Sequence, residues 1–260
     1  MHLYSSADVQ IRLYLMGNVQ SDQYWGSQIP RLLNYGRDHR LNVRSVKLFT
    51  DGALGSWGAA LLEPYSDKPD TTGLMRSSKT ALQNLVESFY RDGWQVNVHC
   101  IGDRANKVVL DIFEDILSRP DVDAQKWRPR IEHAQIMQMG DLERIGRLGG
   151  SDFPVEGINP LLGFYAAVSR LSVRGDSPNG TDGWYPAEAL TRAQALQGMT
   201  RDAAYAAFAE SERGMIAPGM KADFVVLDRD IMDEMAAAGE ILKAKVLATV
   251  VDGQAAYGSL

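Results

Sequence analysis

The chain has 260 residues, of which 45% are hydrophobic, and a formal net charge of -6 at pH 7. This length and composition allow a large buried core, which excludes disorder as a description of the whole chain. The negative charge, without any run of lysine and arginine, excludes nucleic acid and anionic membrane surfaces as default partners.

The predicted elements of the first half alternate between strand and helix. In chain order they are strand 9–16, helix 27–38, strand 43–49, a long loop 54–76, helix 77–93, strand 94–99, a helix capped by Asp103, strand 128–133 and helix 140–148. Strands that alternate with helices at this spacing favour parallel βαβ units, so an α/β fold is expected.

The pattern changes after Asp152. An alanine-rich helix is predicted over residues 187–208, followed by short strands, the last two joined by an Asp-Gly turn at 252–253. We therefore predict two domains with a boundary near residue 212, namely 1–212 and 213–260.

A polar column runs along the predicted strand WQVNVH, residues 94–99. Gln95, Asn97 and His99 alternate with apolar residues, which is typical of a strand whose one face lines a polar interior. His99 would then lie at the carboxyl end of the strand, where active sites of α/β barrels are found. The alternative is a histidine with a structural role in the core.

His133 ends the next predicted strand, 34 residues after His99. Two imidazoles at the ends of neighbouring parallel strands converge on one point, which suits a divalent metal. A hydrogen-bonded surface histidine is the alternative for His133.

Lys47 shares a strand face with Val43, Ser45 and Phe49, so its ammonium is expected to point inward. A buried ammonium needs a partner or a chemical change. Two possibilities remain open: a salt bridge to Asp51, or a carbamate that could ligate a metal.

The only cysteine, Cys100, permits no internal disulfide. Because it stands beside His99, it is either a nucleophile or a small buried side chain. The start, MHLYSSADVQ, has no basic region followed by an apolar one, and no apolar run is long enough to span a bilayer. A cytoplasmic location is expected.

Five motifs in order make the chain recognisable: VKLFTDGALGS, VNVHCIGDRAN, IEHAQ, GSDFPVEGINP and ERGMIAPGMKADFVVLD. Together they resemble the metal-dependent amidohydrolase superfamily, in particular the amidohydrolase 3 branch that includes N-substituted formamide deformylases. The resemblance runs from about residue 43 to 253.

The resemblance implies a (β/α)8 TIM-type barrel with a small β-sandwich domain, and it assigns roles to four residues. Lys47 matches the lysine of strand four, a carbamate bridge, and His99 and His133 match the metal ligands of strands five and six. Asp152 matches the aspartate of strand eight, which binds metal and acts as general base. The implied cofactor is a divalent metal, most simply zinc.

The chain departs from the family pattern in two places. It contains no HxH motif, and its remaining histidines, His2 and His39, are expected on the surface. Only 19 residues separate His133 from Asp152, although the family places a strand, a helix and a further strand there. We interpret RLGGSDFPVEG, residues 147–157, as a junction across missing barrel segments.

The sequence thus predicts a partial barrel of about four parallel strands with a C-terminal remnant of the β-sandwich. The expected function is metal-dependent hydrolysis of an amide-like carbon-nitrogen bond in a small molecule, impaired by the missing segments. Two alternatives remain: a non-catalytic homologue that acts as an oligomer or binding protein, and a lyase or isomerase that reuses the pocket. Open sheet edges favour self-association into a homo-oligomer.

Overall fold

The structure, a computed structural model, describes residues 11–18, 23–145 and 159–259. Contacts between Cα atoms divide the chain into two compact units, Met1–Asp152 and Phe153–Leu260. The elements of the first unit are β1 Leu13–Gly17, β2 Leu32–Tyr35, β3 Leu41–Phe49, α1 Lys79–Arg91, β4 Gln95–Cys100, α2 Asp103–Leu117, α3 Ala124–Trp127, β5 Arg130–His133 and α4 Met139–Ile145, with 3-10 turns at Arg37–His39 and Leu54–Ser56.

The first unit is built on a sheet of five strands. Four of them are parallel in the order β1-β3-β4-β5, and β2 pairs antiparallel with the first half of β3. The α/β class with a parallel sheet is therefore confirmed, as is the expected number of parallel strands. Within the described residues the sheet has two outer strands, β1 and β5, and a partial barrel remains a prediction.

The two faces of this sheet differ in chemistry. Val46, Leu48, Val96 and Val98 lie on the face that packs against α1 and α2, and each is at most 7% exposed. Burial of each such side chain contributes about 1.5–3 kcal/mol. The helices present the complementary apolar faces, with Leu82, Val86, Phe89, Val109, Ile112, Phe113 and Ile116.

The predicted helix over residues 27–38 is wrong. Residues 32–35 form β2 instead, because the Asn42 side chain accepts the backbone N–H of Asn34 at 2.9 Å and the strand pairs with β3. Asn34 and Asp38 adopt positive φ values of 48° and 64°, which a right-handed helix does not allow.

The start of α2 differs from the sequence expectation by one residue. Gly102 is the N-cap, and Asp103 is the first helical residue. The Asp103 carboxylate accepts the backbone N–H groups of Arg104 and Leu62, each at 2.9 Å. The negative charge also suits the positive end of the helix dipole.

The long loop predicted over residues 54–76 follows β3 and packs tightly on the start of α2. The Ala60 carbonyl accepts the backbone N–H of Arg104 at 3.1 Å, and the Arg104 guanidinium donates to the carbonyls of Thr72 and Gly73. A Cβ atom on Gly102 would overlap the Ala60 carbonyl. The close approach of loop and helix therefore requires glycine at position 102.

The elements of the second unit are α5 Pro160–Ser169, a 3-10 turn Pro186–Glu188, α6 Arg192–Met199, α7 Arg201–Ala206, β6 Phe224–Leu227, a 3-10 helix Ala238–Lys243, β7 Val246–Val251 and β8 Gln254–Gly258. The sequence interpretation missed α5, and the single helix expected over 187–208 is two helices separated at Thr200. Strands β6-β7-β8 form an antiparallel sheet with the expected turn at Asp252 and Gly253, both at positive φ. A sandwich remains a prediction.

The boundary predicted near residue 212 falls inside the second unit. The reason is a shared core: Leu161, Phe164 and Tyr165 of α5 cluster with Ala195 of α6 and with Ile241, which is fully buried. The helical segment before residue 212 and the segment after it therefore belong to one compact unit.

The close contact at Gly102 gives a test of the loop packing. We expect Gly102→Ala to lower the free energy of unfolding by about 1–3 kcal/mol, because the added methyl group overlaps the Ala60 carbonyl. Gly140→Ala in α4 is the matched control, since its Cβ would meet open space; there we expect no loss, or a gain of up to about 1 kcal/mol. Urea denaturation measures both, and an equal response of the two variants would contradict the packing.

Candidate active site

The second face of the sheet is polar and nevertheless buried. Register pairs Lys47 with Asn97 and Asn97 with Arg130, so these three side chains lie in one row. Asn97 is fully buried, and its carbonyl oxygen accepts the Arg130 Nε–H at 3.1 Å. Gln95, 2% exposed, donates to the Arg128 carbonyl at 2.7 Å. The polar column expected on β4 is thus present.

Lys47 is buried on this face, as expected, with 9% of its surface exposed. Its Nζ lies 3.9 Å from Glu132 Oε2 and over the Phe49 ring, 5.9 Å from the ring centroid. Glu132 also pairs with Arg130 at 3.0 Å. The carboxylate beside Lys47 among the described residues is therefore Glu132, and Asp51 has other partners.

The rings of His99 and His133 lie side by side, with centroids 4.6 Å apart and planes at 69°. Register places Glu132 opposite His99 and His133 opposite Cys100, whose side chain belongs to the helix-covered face. A regular strand would send the His133 ring to that face too. His133 instead has φ 75°, followed by Ala134 at φ 47°, and this left-handed backbone accompanies the return of its ring to His99.

Burial lowers the pKa of His99 below its ordinary value, and the neighbouring His133 and Lys47 lower it further. Asp51 and a backbone hydrogen bond with Gly52 act in the opposite direction. The neutral imidazole is the form that binds a metal. The electrostatics of the site therefore favour the ligand form of His99.

Sequence reasoning missed Asp51, which was considered only as a partner for Lys47. Its buried carboxylate accepts three backbone N–H groups and lies 3.5 Å from Nε2 of His99. An aspartate directly after a strand and before a glycine was the available signal. It indicated a turn but not the contact with His99.

Cys100 is fully buried, and its burial strongly raises the pKa of the thiol. A thiolate nucleophile is disfavoured here, and the alternative of a small buried side chain agrees with the structure.

Asp152 and the interpreted junction 147–157 lie outside the described residues. Lys47, His99 and His133 are brought to one region of the polar face. Among the described residues no group of three histidine, cysteine, aspartate or glutamate side chains is placed to hold a metal ion. The imidazole pair suits zinc as two of its ligands, and an unmodified ammonium does not ligate a metal.

Comparison with known proteins supplies the wider context. The model of the amidohydrolase family matches residues 6–151 and 148–257, which is most of the chain. The chain belongs to the amidohydrolase family. The two matched segments meet at 148–151, inside the stretch that we interpret as a junction in this amidohydrolase.

Curated relatives of this amidohydrolase include two proteins of different organisms. Protein LONG AFTER FAR-RED 3 of Arabidopsis thaliana is 32% identical over 84% of this chain and 43% of its own length. The N-substituted formamide deformylase of Arthrobacter pascens is 29% identical over 82% of this chain and 45% of its own length. The chain therefore spans less than half the length of these relatives.

Among solved structures, an uncharacterized metal-dependent hydrolase of Pyrococcus horikoshii is similar with a TM-score of 0.64 and 29% identity. The match covers 77% of this chain and 47% of that one. Within the part of the amidohydrolase that the structure describes, no helix has the length and apolarity needed to cross a membrane.

Proposed function

We propose that this amidohydrolase family member is a metal-dependent hydrolase that cleaves an amide-like carbon-nitrogen bond in a small molecule. The observation that carries the proposal is the His99–His133 pair, with ring centroids 4.6 Å apart on a buried polar face. The family membership and the metal-dependent hydrolase among the similar structures support hydrolysis. The deformylase among the relatives supports an amide-like substrate.

In this proposal His99 and His133 hold a divalent metal, most simply zinc, because imidazole nitrogen is a preferred zinc ligand. When bound, such a metal lowers the pKa of a water molecule and polarises a carbonyl group. Lys47 is either a third ligand as its carbamate or, paired with Glu132, a buried cation. Asp152 is proposed as the residue that takes a proton from the attacking water and gives it to the leaving nitrogen.

We further propose that the 260-residue chain on its own hydrolyses slowly. Hydrolysis requires the water, the carbonyl and the general base within hydrogen-bond distance of one another, and displacements of about 1 Å can cost about a hundredfold in rate. Of the 19 residues from His133 to Asp152, seven form α4. Few remain to build a strand that would hold Asp152.

A non-catalytic role is the second candidate. It is favoured by the two described imidazoles, which are fewer than the three protein ligands of a typical catalytic zinc site. The activity measurement below separates the two candidates.

Metal binding tests the ligand pair first. We expect the purified chain, incubated with zinc and desalted, to retain no more than about one equivalent, because His99 and His133 form one site. His99→Ala should lose this metal, and His39→Ala, a change at an exposed histidine, should keep it. Metal analysis provides the measurement. Two retained equivalents, or retention by His99→Ala, would contradict the assignment.

Activity tests the reaction. We expect slow release of amine from N-formyl and N-acyl amines, dependent on zinc and absent in His99→Ala, while His39→Ala behaves like the wild type. Robust turnover that collapses in Asp152→Asn would show that the general base is well placed and that the chain is not impaired. Zinc binding without any turnover would favour the non-catalytic candidate.

Assembly is a separate proposal. The outer strands β1 and β5 of the sheet offer unpaired backbone groups among the described residues, and such edges favour pairing with another chain. We propose that the chain self-associates, and light scattering at micromolar concentration should report a dimer or a larger species. A stable monomer at that concentration would count against this proposal.

A further inference from the structure

The carboxylate of Asp51 connects three parts of the first unit. Oδ2 accepts the backbone N–H of Ala60 at 2.9 Å and of Gly102 at 2.8 Å, and Oδ1 accepts that of Ile101 at 3.1 Å. Ala60 belongs to the loop after β3, whereas Ile101 and Gly102 join β4 to α2. Hydrogen bonds to a charged group contribute about 1.5–3 kcal/mol each, so this buried carboxylate holds the loop to the start of the helix.

The same carboxylate contacts a candidate metal ligand. Asp51 Oδ1 lies 3.5 Å from Nε2 of His99, and the side chain of Asp51 is fully buried. The other ring neighbours of His99 are Phe49, with centroids 5.4 Å apart, and His133. Asp51 therefore provides the acidic group that limits how the His99 ring can turn.

A second carboxylate joins the loop and the helix without reaching His99. Asp103 accepts the backbone N–H of Leu62 at 2.9 Å, two residues along the loop from Ala60. Both aspartates attach the loop to the start of α2, and only Asp51 also lies beside the imidazole pair. The chain thus contains its own matched control for the role of Asp51.

We propose that Asp51 is a positioning residue that orients His99 for metal binding and couples this orientation to the order of the loop at Ala60. The inference rests on the metal site of the proposed function and adds a residue that ligates nothing itself. Carboxylates that orient metal-bound histidines typically change metal affinity by 10- to 100-fold when they are altered. The loop that follows β3 and the metal ligand at the end of β4 then respond to one another.

Zinc affinity of two variants tests the proposal. We expect Asp51→Asn to weaken zinc binding by about 10- to 100-fold, because the amide NH₂ group opposes the backbone donors and the contact with His99 loses its charge. Asp103→Asn should change zinc affinity by less than about threefold, since its bonds reach only the loop and the helix. Competition with a chromogenic chelator measures both. Wild-type affinity in Asp51→Asn, or equal losses in the two variants, would overturn the proposal.

Amide hydrogen exchange of the wild-type chain provides a second measurement that needs no folded variant. Zinc should slow exchange at Ala60 and Gly102, whose N–H groups bond to Asp51, more than at Leu62, whose N–H bonds to Asp103. Unchanged exchange with zinc bound would overturn the coupling. If the wild type binds no zinc, the proposed function fails together with this inference, whereas zinc binding insensitive to Asp51→Asn defeats the inference alone.

Discussion

The structure of the first unit depends on one constraint, the pairing of polar groups that lie buried on one face of its parallel sheet. The helices cover the opposite, apolar face, so the polar face must satisfy its own hydrogen bonds. It does so across strands: Arg130 from β5 bonds to Asn97 of β4, and Tyr14 of β1 donates to Gln95 of β4. Long polar side chains on neighbouring strands thereby fill the space beside the candidate ligands.

The charges on this face are also arranged around the imidazole pair. Glu132 lies between two cations, 3.9 Å from Lys47 and 3.0 Å from Arg130, and supplies the countercharge that a buried ammonium requires. Conversion of Lys47 to a carbamate would place two anions side by side, which a divalent metal on the histidines would offset. The charge of Lys47 and the presence of metal are thus linked, and the unmodified lysine suits the metal-free chain.

The parts of this fold that sequence predicted are those where one periodicity acts alone. The period of two identified β3 and β4 and their polar faces, and the spacing of apolar residues identified α1 and α2. Residues 27–38 failed because a strand pairing with β3 decides their conformation, and α5 was missed because its burial depends on Ile241, far along the chain. The domain boundary was misplaced for the same reason.

The candidate site shows the same limit at the level of single residues. Lys47, His99 and His133 could be named from their places at strand ends, but strand alternation alone puts His133 on the wrong face. Its positive φ is a property of the folded chain, as is the convergence of Ala60, Ile101 and Gly102 on Asp51. Residues that carry chemistry are thus recognisable by type and spacing, whereas residues that orient them are defined by backbone groups distant in sequence.

This division bears on how an amidohydrolase chain of this length can keep part of its chemistry. The imidazole pair and the Asp51 contacts lie within one compact unit, on strands that are adjacent in the sheet. Ligand geometry at His99 and His133 therefore depends on local pairing, which the described strands supply among themselves. Proton transfer by Asp152 depends on the segment after α4, so metal binding and hydrolysis are separable properties of this chain. Because of that separation, a chain that binds zinc and turns over slowly would be consistent with the physics of both segments.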